Sequence, residues 1–181
     1  SATDKWKADL ADISGMPFDK ILGNFLSYSN YRPAIEKWAP HLLEEMRGIA
    51  EGAQLGEDLI YAWQMVDEVL DFLAEHITAD KCSTVGGYDQ VEGAGPVIGK
   101  TQDLPHCYIG TGVLVRTRYD EHDIYNSTIA GVISQENMTS NLGVCLNHVG
   151  HLDRDTDGLP VSFVVRLLAE RSNNIDQAVS L

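Results

Sequence analysis

The chain has 181 residues, of which 44% are hydrophobic and 22% are charged, and its net charge is −14. These proportions predict one globular domain, and the negative charge argues against nucleic acid and anionic membranes as partners. The chain has only three cysteines, and because this number is small and odd, it argues against a disulfide framework. No apolar run reaches the ~18 residues of a membrane span.

The first 81 residues have the hydrophobic periodicity of helices. Apolar residues three and four positions apart predict helices over 18–29, 34–53 and 57–76. The apolar stripe of the second helix comprises Ile35, Trp38, Leu42, Met46 and Ile49, and that of the third comprises Leu59, Trp63, Val66, Leu70 and Leu73. We interpret both stripes as core-packing surfaces rather than as a binding site for a cofactor.

The pattern changes at Cys82, after which glycine is frequent and β-branched residues alternate with others. Strands are predicted over 82–88, 95–103, 111–116, 126–133 and 142–147. A helix is expected from Pro160, and a second helix is expected to begin at Asn174, a residue type that caps helix N-termini. Helices, then strands, then helices predict an α+β fold with a mostly antiparallel sheet.

Cys82 is the strongest candidate for a catalytic residue. It stands at the boundary between helices and strands, and Asp103 ends the next predicted strand 21 residues later. A cysteine in this position suggests a nucleophile that becomes an N-terminus by self-cleavage. Its freed α-amine then acts as the base, and no histidine is needed. The plainer interpretation is that Cys82 is a small buried hydrophobe and Asp103 an ordinary strand-end residue.

Asn147 and two histidines offer further candidate chemistry. An Asn at the end of an apolar strand can donate its amide N–H to a developing oxyanion, although Asn147 could simply close a turn. His148 and His151 follow, and either could pair with Cys82 or bind a metal. Without a further ligand motif we prefer solvent-exposed loop histidines, and we predict neither a metal nor another cofactor.

Several segments together resemble one known family, the acyl-coenzyme A:6-aminopenicillanic acid acyltransferase-like proteins. These are N-terminal-nucleophile (Ntn) hydrolases related to the choloylglycine hydrolases. The resemblance lies in segments 46–53, 82–84, 99–103, 130–133, 138–147 and 157–168. Two departures stand out: Lys100 and Thr101 replace the family's usual Arg or Gln followed by Asn, and Met138 replaces its usual Asn. The order and spacing of the segments carry the resemblance more than any single motif does.

The resemblance implies a four-layer αββα sandwich made as an inactive precursor. Cleavage would fall between Lys81 and Cys82, so that 1–81 is a helical pro-segment or α-subunit and 82–181 is the first part of the Ntn β-subunit. By position, Cys82 is the nucleophile, Asp103 supports its α-amine and Asn147 is an oxyanion donor. The family's further catalytic Asn and Arg residues would follow Leu181, in the remainder of the same protein or in its processed subunit.

The expected function is therefore that of a self-cleaving cysteine amidase or acyltransferase of the Ntn class. Its substrate would be a small-molecule N-acyl amide or thioester, its location cytoplasmic, and it could form a homo-oligomer. The alternatives are a Cys/His thiol hydrolase that uses His148 as base without self-cleavage, and a non-catalytic relative of the fold. We also expect residues 1–181 alone to be inactive and poorly folded, because the strands predicted after Cys82 are too few to build two facing sheets.

Overall fold

The computed structural model describes residues 1–73, 82–88, 95–148 and 155–181. The first of these ranges is entirely helical apart from its connections. No helix in the described residues is both long enough and apolar enough to cross a membrane. The helices of the first range are α1 (Ala2–Ser14), α2 (Phe18–Tyr28), α3 (Arg32–Trp38), α4 (Pro40–Ala53), α5 (Glu57–Trp63) and α6 (Val66–Phe72).

Helix α1 was not predicted, although its ends carry clear local signals. Ser1 and Asp4 form a reciprocal capping box, and Gly15 ends the helix in the left-handed conformation with φ of 67°. Its apolar side chains Trp6 and Leu10 are fully buried. They lie four positions apart among charged residues, a stripe too narrow to be distinguished from chance in the sequence.

The predicted helices 34–53 and 57–76 are each two helices rather than one. The first is interrupted at Ala39, because Pro40 disfavours helical backbone in the residue before it. The second is interrupted at Gln64 and Met65, where no proline or glycine is present. There, the Ser162 hydroxyl donates a hydrogen bond of 2.8 Å to the Gln64 carbonyl. The buried Gln64 side chain donates to the carbonyl of Gly131 and accepts from the amide of Ile133, at 2.9 and 2.8 Å.

The described residues after Cys82 contain six strands in two antiparallel sheets. The strands after Cys82 are therefore not too few to form two sheets, so that reason for expecting residues 1–181 to fold poorly was wrong. Strands β1 and β2 form a hairpin, while the other four form a sheet in the order β3-β4-β5-β6. The strands are β1 (Ser83–Tyr88), β2 (Pro96–Thr101), β3 (Gly112–Tyr119), β4 (His122–Ile129), β5 (Glu136–Met138) and β6 (Gly143–Val144).

Strand β4 ends four residues earlier than the predicted strand 126–133. The chain turns at Gly131, whose φ of 86° is disfavoured for other residues. A side chain at this position would also lie 3.2 Å from the Trp63 indole nitrogen, which donates a 3.0 Å hydrogen bond to the Ala130 carbonyl. The helical residues before Cys82 thus fix the end of a strand after it.

Two more helices follow the sheets, α7 (Val161–Arg171) and α8 (Ile175–Ser180). Helix α7 starts directly after Pro160, and the Asn174 side chain caps α8 by accepting from the Gln177 amide, so both predicted starts are confirmed. Helix α7 covers one face of the four-stranded sheet, where the side-chain amide of Asn137 donates a hydrogen bond of 3.2 Å to the backbone carbonyl of Val165.

The β1–β2 hairpin lies against the opposite face of the same sheet. Neighbouring residues of a strand point to opposite faces, and Glu136, next to Asn137, contacts Lys100 of the hairpin. Further along, a side chain on Gly143 would lie 2.9 Å from the Ile98 side chain. The fold is thus mixed α+β, and one hydrophobic core runs from Trp6 and Trp63 of the helices to Phe163 of α7.

Candidate functional site

The open end of the β1–β2 hairpin brings the first two predicted site residues together. Ser83 and Thr101 form the last pair of the hairpin, so Cys82, directly before Ser83, and Asp103, two residues after Thr101, both lie at its open end. Cys82 is partly buried, whereas Asp103 is exposed. No hydrogen bond joins their side chains in the structure, so their proximity rests on the strand pairing.

Asn147 reaches the same hairpin from the segment after β6. Its side-chain oxygen accepts a hydrogen bond of 2.8 Å from the hydroxyl of Thr84, two residues after Cys82. In an antiparallel pair, alternate residues of one strand lie on one face, so Thr84 and Cys82 share a face. Because the oxygen is engaged, the Asn147 N–H₂ group is the part of the amide that remains for an oxyanion.

A buried ion pair lies beside these residues and was missed in the sequence. Lys100, directly opposite Thr84, contacts Glu136 of β5, and Gln102 donates to the same carboxylate oxygen at 2.9 Å. The Lys100 and Glu136 side chains are only 6% and 15% exposed. Burial raises the pKa of Glu136, and the hydrogen bond from Lys100 opposes that rise. Strand β5 is too short for an alternating pattern, so no periodicity in the sequence indicated this pair.

Acidic side chains of α6 approach the site from the helical part of the chain. His148 Nε2 lies 2.9 Å from Asp71 Oδ1, and the structure shows no hydrogen bond between His148 and Cys82. Burial raises the pKa of Asp67, while the nearby His148 and Lys100 lower it. The predicted cleavage residue Lys81 and the candidate His151 lie outside the described residues.

Glu68 of α6 accepts a 2.9 Å hydrogen bond from the backbone amide of Val161, the first residue of α7. Burial raises its pKa from 4.5 to about 7, Asp67 and Asp71 raise it further, and the Val161 amide opposes the shift. Because the pKa of Glu68 is higher in the folded than in the unfolded protein, the protonated carboxyl stabilises the fold below pH 4.5. This contribution is lost as the pH rises through about 7.

We therefore expect Glu68→Gln, which keeps the acceptor oxygen, to be more stable than the wild type above neutral pH. The gain in the free energy of unfolding at pH 8 should be at most about 3 kcal/mol and should vanish near pH 4.5. Urea unfolding at several pH values measures it. The exposed Glu51→Gln variant should follow the wild type throughout, and a gain that is independent of pH would contradict the explanation.

The two remaining cysteines are poor nucleophiles. Burial raises the pKa of Cys107 to about 12, and a hydrogen bond from its thiol to Asp9 adds to that shift. Burial also raises the pKa of Cys145. The thiolate is the reactive form of cysteine, so neither residue supplies it readily near neutral pH.

A cavity of about 810 Å³ separates the hairpin from the four-stranded sheet. Lys100, Gln102 and Glu136 line one part of it, and Lys100 lies opposite Thr84 in the hairpin. Its apolar wall is formed by Pro96, Ile98, Leu114, Met138, Leu142 and Val144, and further polar side chains, those of Tyr125, Ser127, Asn137, Thr139, Ser140 and Asn141, also line it. Its volume falls within the range of about 300–1,000 Å³ that is common for small-molecule sites.

The chain matches no protein-family model and no curated protein. Among the described residues, no three His, Cys, Asp or Glu side chains are grouped so that they could hold a metal ion.

Proposed function

We propose that the protein is an Ntn cysteine amidase or acyltransferase, made as a precursor that cleaves itself between Lys81 and Cys82. The observation that carries this proposal is the register of the β1–β2 hairpin. Cys82 and Asp103 both lie at its open end, just beyond the last pair, and Thr84, two residues after Cys82, donates a hydrogen bond to Asn147. A nucleophile, a carboxylate and an amide donor are the groups that self-cleaving thiol chemistry requires.

Maturation would begin when the Cys82 thiol attacks the carbonyl carbon of Lys81. The peptide C–N bond breaks as a thioester forms, and the departing nitrogen, which takes up a proton, becomes the α-amine of Cys82. Water then hydrolyses the thioester, leaving a carboxylate on Lys81 and a free thiol on Cys82. No histidine or metal takes part in these steps.

In turnover, the α-amine of Cys82 is the base. It has a reference pKa of about 8, takes the thiol proton as sulfur attacks the acyl carbon, and passes that proton to the leaving amine. Asp103 supports the α-amine, and the N–H₂ group of Asn147 donates to the tetrahedral oxyanion. The acyl group on sulfur then passes to water or to an amine.

The experiment that tests this proposal combines mass and activity on the complete protein. Intact mass and a denaturing gel should show two polypeptides, the second beginning at Cys82. A panel of N-acyl amides and acyl thioesters should reveal amine or thiol release by the cleaved form only. One unbroken polypeptide that turns over these substrates would exclude the self-cleavage part of the proposal.

Replacing Asn147 with alanine should lower turnover while leaving folding largely intact, because the residue is exposed. Loss of one oxyanion donor typically costs about a hundredfold in kcat, or roughly 3 kcal/mol. Thr84→Val should cause a smaller loss, since it removes only the hydrogen bond that orients the amide. The exposed Asn173→Ala variant is the control. Near-normal kcat with unchanged KM in Asn147→Ala would mean that Asn147 only closes a turn.

One observation favours a second candidate, a thiol hydrolase that is not cleaved. The contact of 2.9 Å between His148 and Asp71 resembles the base-orienting contact of a catalytic triad, in which a carboxylate orients a histidine base. In this alternative, His148 would take the proton of Cys82 and no α-amine would be needed. Activity in one unbroken polypeptide would favour it, whereas activity confined to the cleaved form favours the Ntn proposal.

A further inference from the structure

The carboxylate of Glu136 links the open end of the β1–β2 hairpin to the four-stranded sheet. Its oxygen Oε1 contacts Lys100 Nζ and also accepts a hydrogen bond of 2.9 Å from Gln102 Nε2. Lys100 is the last residue but one of β2, and Gln102 directly follows that strand. Further along the hairpin, a cavity of about 810 Å³ lies between it and the sheet. Glu136 therefore ties the hairpin to β5 beside a region where the two are incompletely packed.

Two residues with proposed catalytic roles are attached to the donors that Glu136 holds. Asp103 directly follows Gln102 in the chain. Lys100 pairs with Thr84 of β1, so their side chains share a face with Cβ atoms about 5 Å apart. Cys82 precedes Thr84 by two residues and lies just beyond the last pair of the hairpin. A shift of Lys100 or Gln102 would therefore also move Cys82 and Asp103.

The third residue with a proposed catalytic role, Asn147, belongs to the sheet side of the site. It follows β6, which pairs with β5, the strand of Glu136. Burial raises the pKa of Cys145, two residues before Asn147, the charge of Glu136 raises it further, and the charge of Lys100 lowers it. The ion pair thus lies beside the segment that carries Asn147, and this segment meets the hairpin through the hydrogen bond from Thr84.

The ion pair fixes a position more strictly than apolar packing does. The Lys100 and Glu136 side chains are 6% and 15% exposed, so the hairpin cannot move away from β5 without leaving a buried charge unpaired. An apolar contact, such as that of Ile98 with the backbone of Gly143, has no preferred direction and allows the surfaces to slide. Well-packed apolar residues often replace a buried ion pair without loss of stability. Fixed geometry is therefore the contribution that such a replacement would remove.

We propose that Glu136 is a positioning residue, which holds the hairpin carrying Cys82 at a fixed position relative to the segment carrying Asn147. It acts through Lys100 and Gln102 and does not touch the substrate. The proposal rests on the proposed function for the roles of Cys82 and Asn147, whereas the attachment of the hairpin to the sheet is a property of the fold. Loss of Glu136 should loosen the hairpin locally and slow the chemical step.

The first test is independent of catalysis and measures backbone hydrogen exchange by mass spectrometry in the inactive Cys82→Ala protein. Adding Glu136→Leu should speed exchange in β1 and β2 at least tenfold and in β3 and β4 less than twofold. Adding Gln102→Leu at an exposed position removes only the second hydrogen bond and should speed exchange in the hairpin at least threefold. This variant decides the test if Glu136→Leu does not fold.

Glu121→Leu is the matched control for hydrogen exchange, because Glu121 is exposed in the turn between β3 and β4. It should leave exchange in both sheets unchanged. Equal acceleration in both sheets by Glu136→Leu would mean that Glu136 contributes only to overall stability. That result, or unchanged exchange in the hairpin, would overturn the proposal.

The second test measures turnover of one N-acyl amide by the complete protein, with kcat referred to the cleaved fraction found by intact mass. Gln102→Leu should lower kcat at least fivefold and Glu136→Leu at least twentyfold, each with KM within twofold of the wild type. In the Glu136→Leu protein, adding Gln102→Leu should lower kcat by less than a further twofold, because its partner is already absent. Glu121→Leu should keep the wild-type kcat. Losses that multiply in the double variant would overturn the proposal.

The two tests separate failure of this proposal from failure of the proposed function. Local loosening of the hairpin in a protein that turns over no acyl substrate would support its attachment by Glu136 and count against the amidase. Turnover that Glu136→Leu and Gln102→Leu leave unchanged would support the amidase and overturn the positioning role.

Discussion

Replacing Cys82 with alanine is expected to abolish both cleavage after Lys81 and all turnover of acyl substrates. The side-chain methyl group of alanine cannot attack a carbonyl carbon, so neither the maturation thioester nor the acyl-enzyme can form. The variant should accumulate as a single polypeptide whose intact mass equals that of the precursor. Because Cys82 is only partly buried at a strand end, its folding should be close to that of the wild type.

Cys107→Ala is the matched control, since Cys107 lies in the core and outside the site. It should still be cleaved before Cys82 and should remain active, with at most a modest loss of stability. If Cys82→Ala is still cut after Lys81, another agent performs the cleavage. If it is cut and also turns over substrate, Cys82 is structural and the site must lie elsewhere.

Replacing Arg166 with methionine is expected to cause the largest loss of stability. Arg166 of α7 is 3% exposed and donates to Glu170, whose carboxylate is fully buried, at 2.8 Å. It also donates to Glu45 of α4 at 3.0 Å and to the Ile133 carbonyl at 3.1 Å. Removing one partner from a buried ion pair typically costs about 3–5 kcal/mol, because the remaining charge is left without compensation.

Urea unfolding measures this loss, and two further variants make it interpretable. Arg118→Met removes an exposed arginine that pairs with Asp123 on the sheet and should cost less than about 1 kcal/mol. Arg166→Met combined with Glu170→Leu should recover much of the stability, since no buried charge is then left alone. Equal losses in Arg166→Met and Arg118→Met would show that the Arg166 network does not hold α7 to α4.

The sequence by itself determined those helices whose apolar repeat or capping residue lies within the helix or directly beside it. The apolar period predicted α2 to within a residue, and Pro160 and Asn174 predicted the starts of α7 and α8. Cys82 was singled out because helical periodicity gives way to alternation there. In each case the physical cause, a cap or a repeat of side-chain positions, is contained in the segment itself.

Only the tertiary structure decided where α5 ends, where β4 ends and that β5 exists. The ends of α5 and β4 depend on contacts between residues more than sixty positions apart, such as Gln64 with Gly131 and Trp63 with Ala130. Strand β5 is too short to be recognised by itself and exists because it pairs with β4. The Lys100–Glu136 pair and the apolar cavity likewise arise from packing the hairpin onto the sheet. Sequence periodicity shows which face of a strand is apolar, but it does not show which distant residue lies opposite, because that depends on how the whole chain packs.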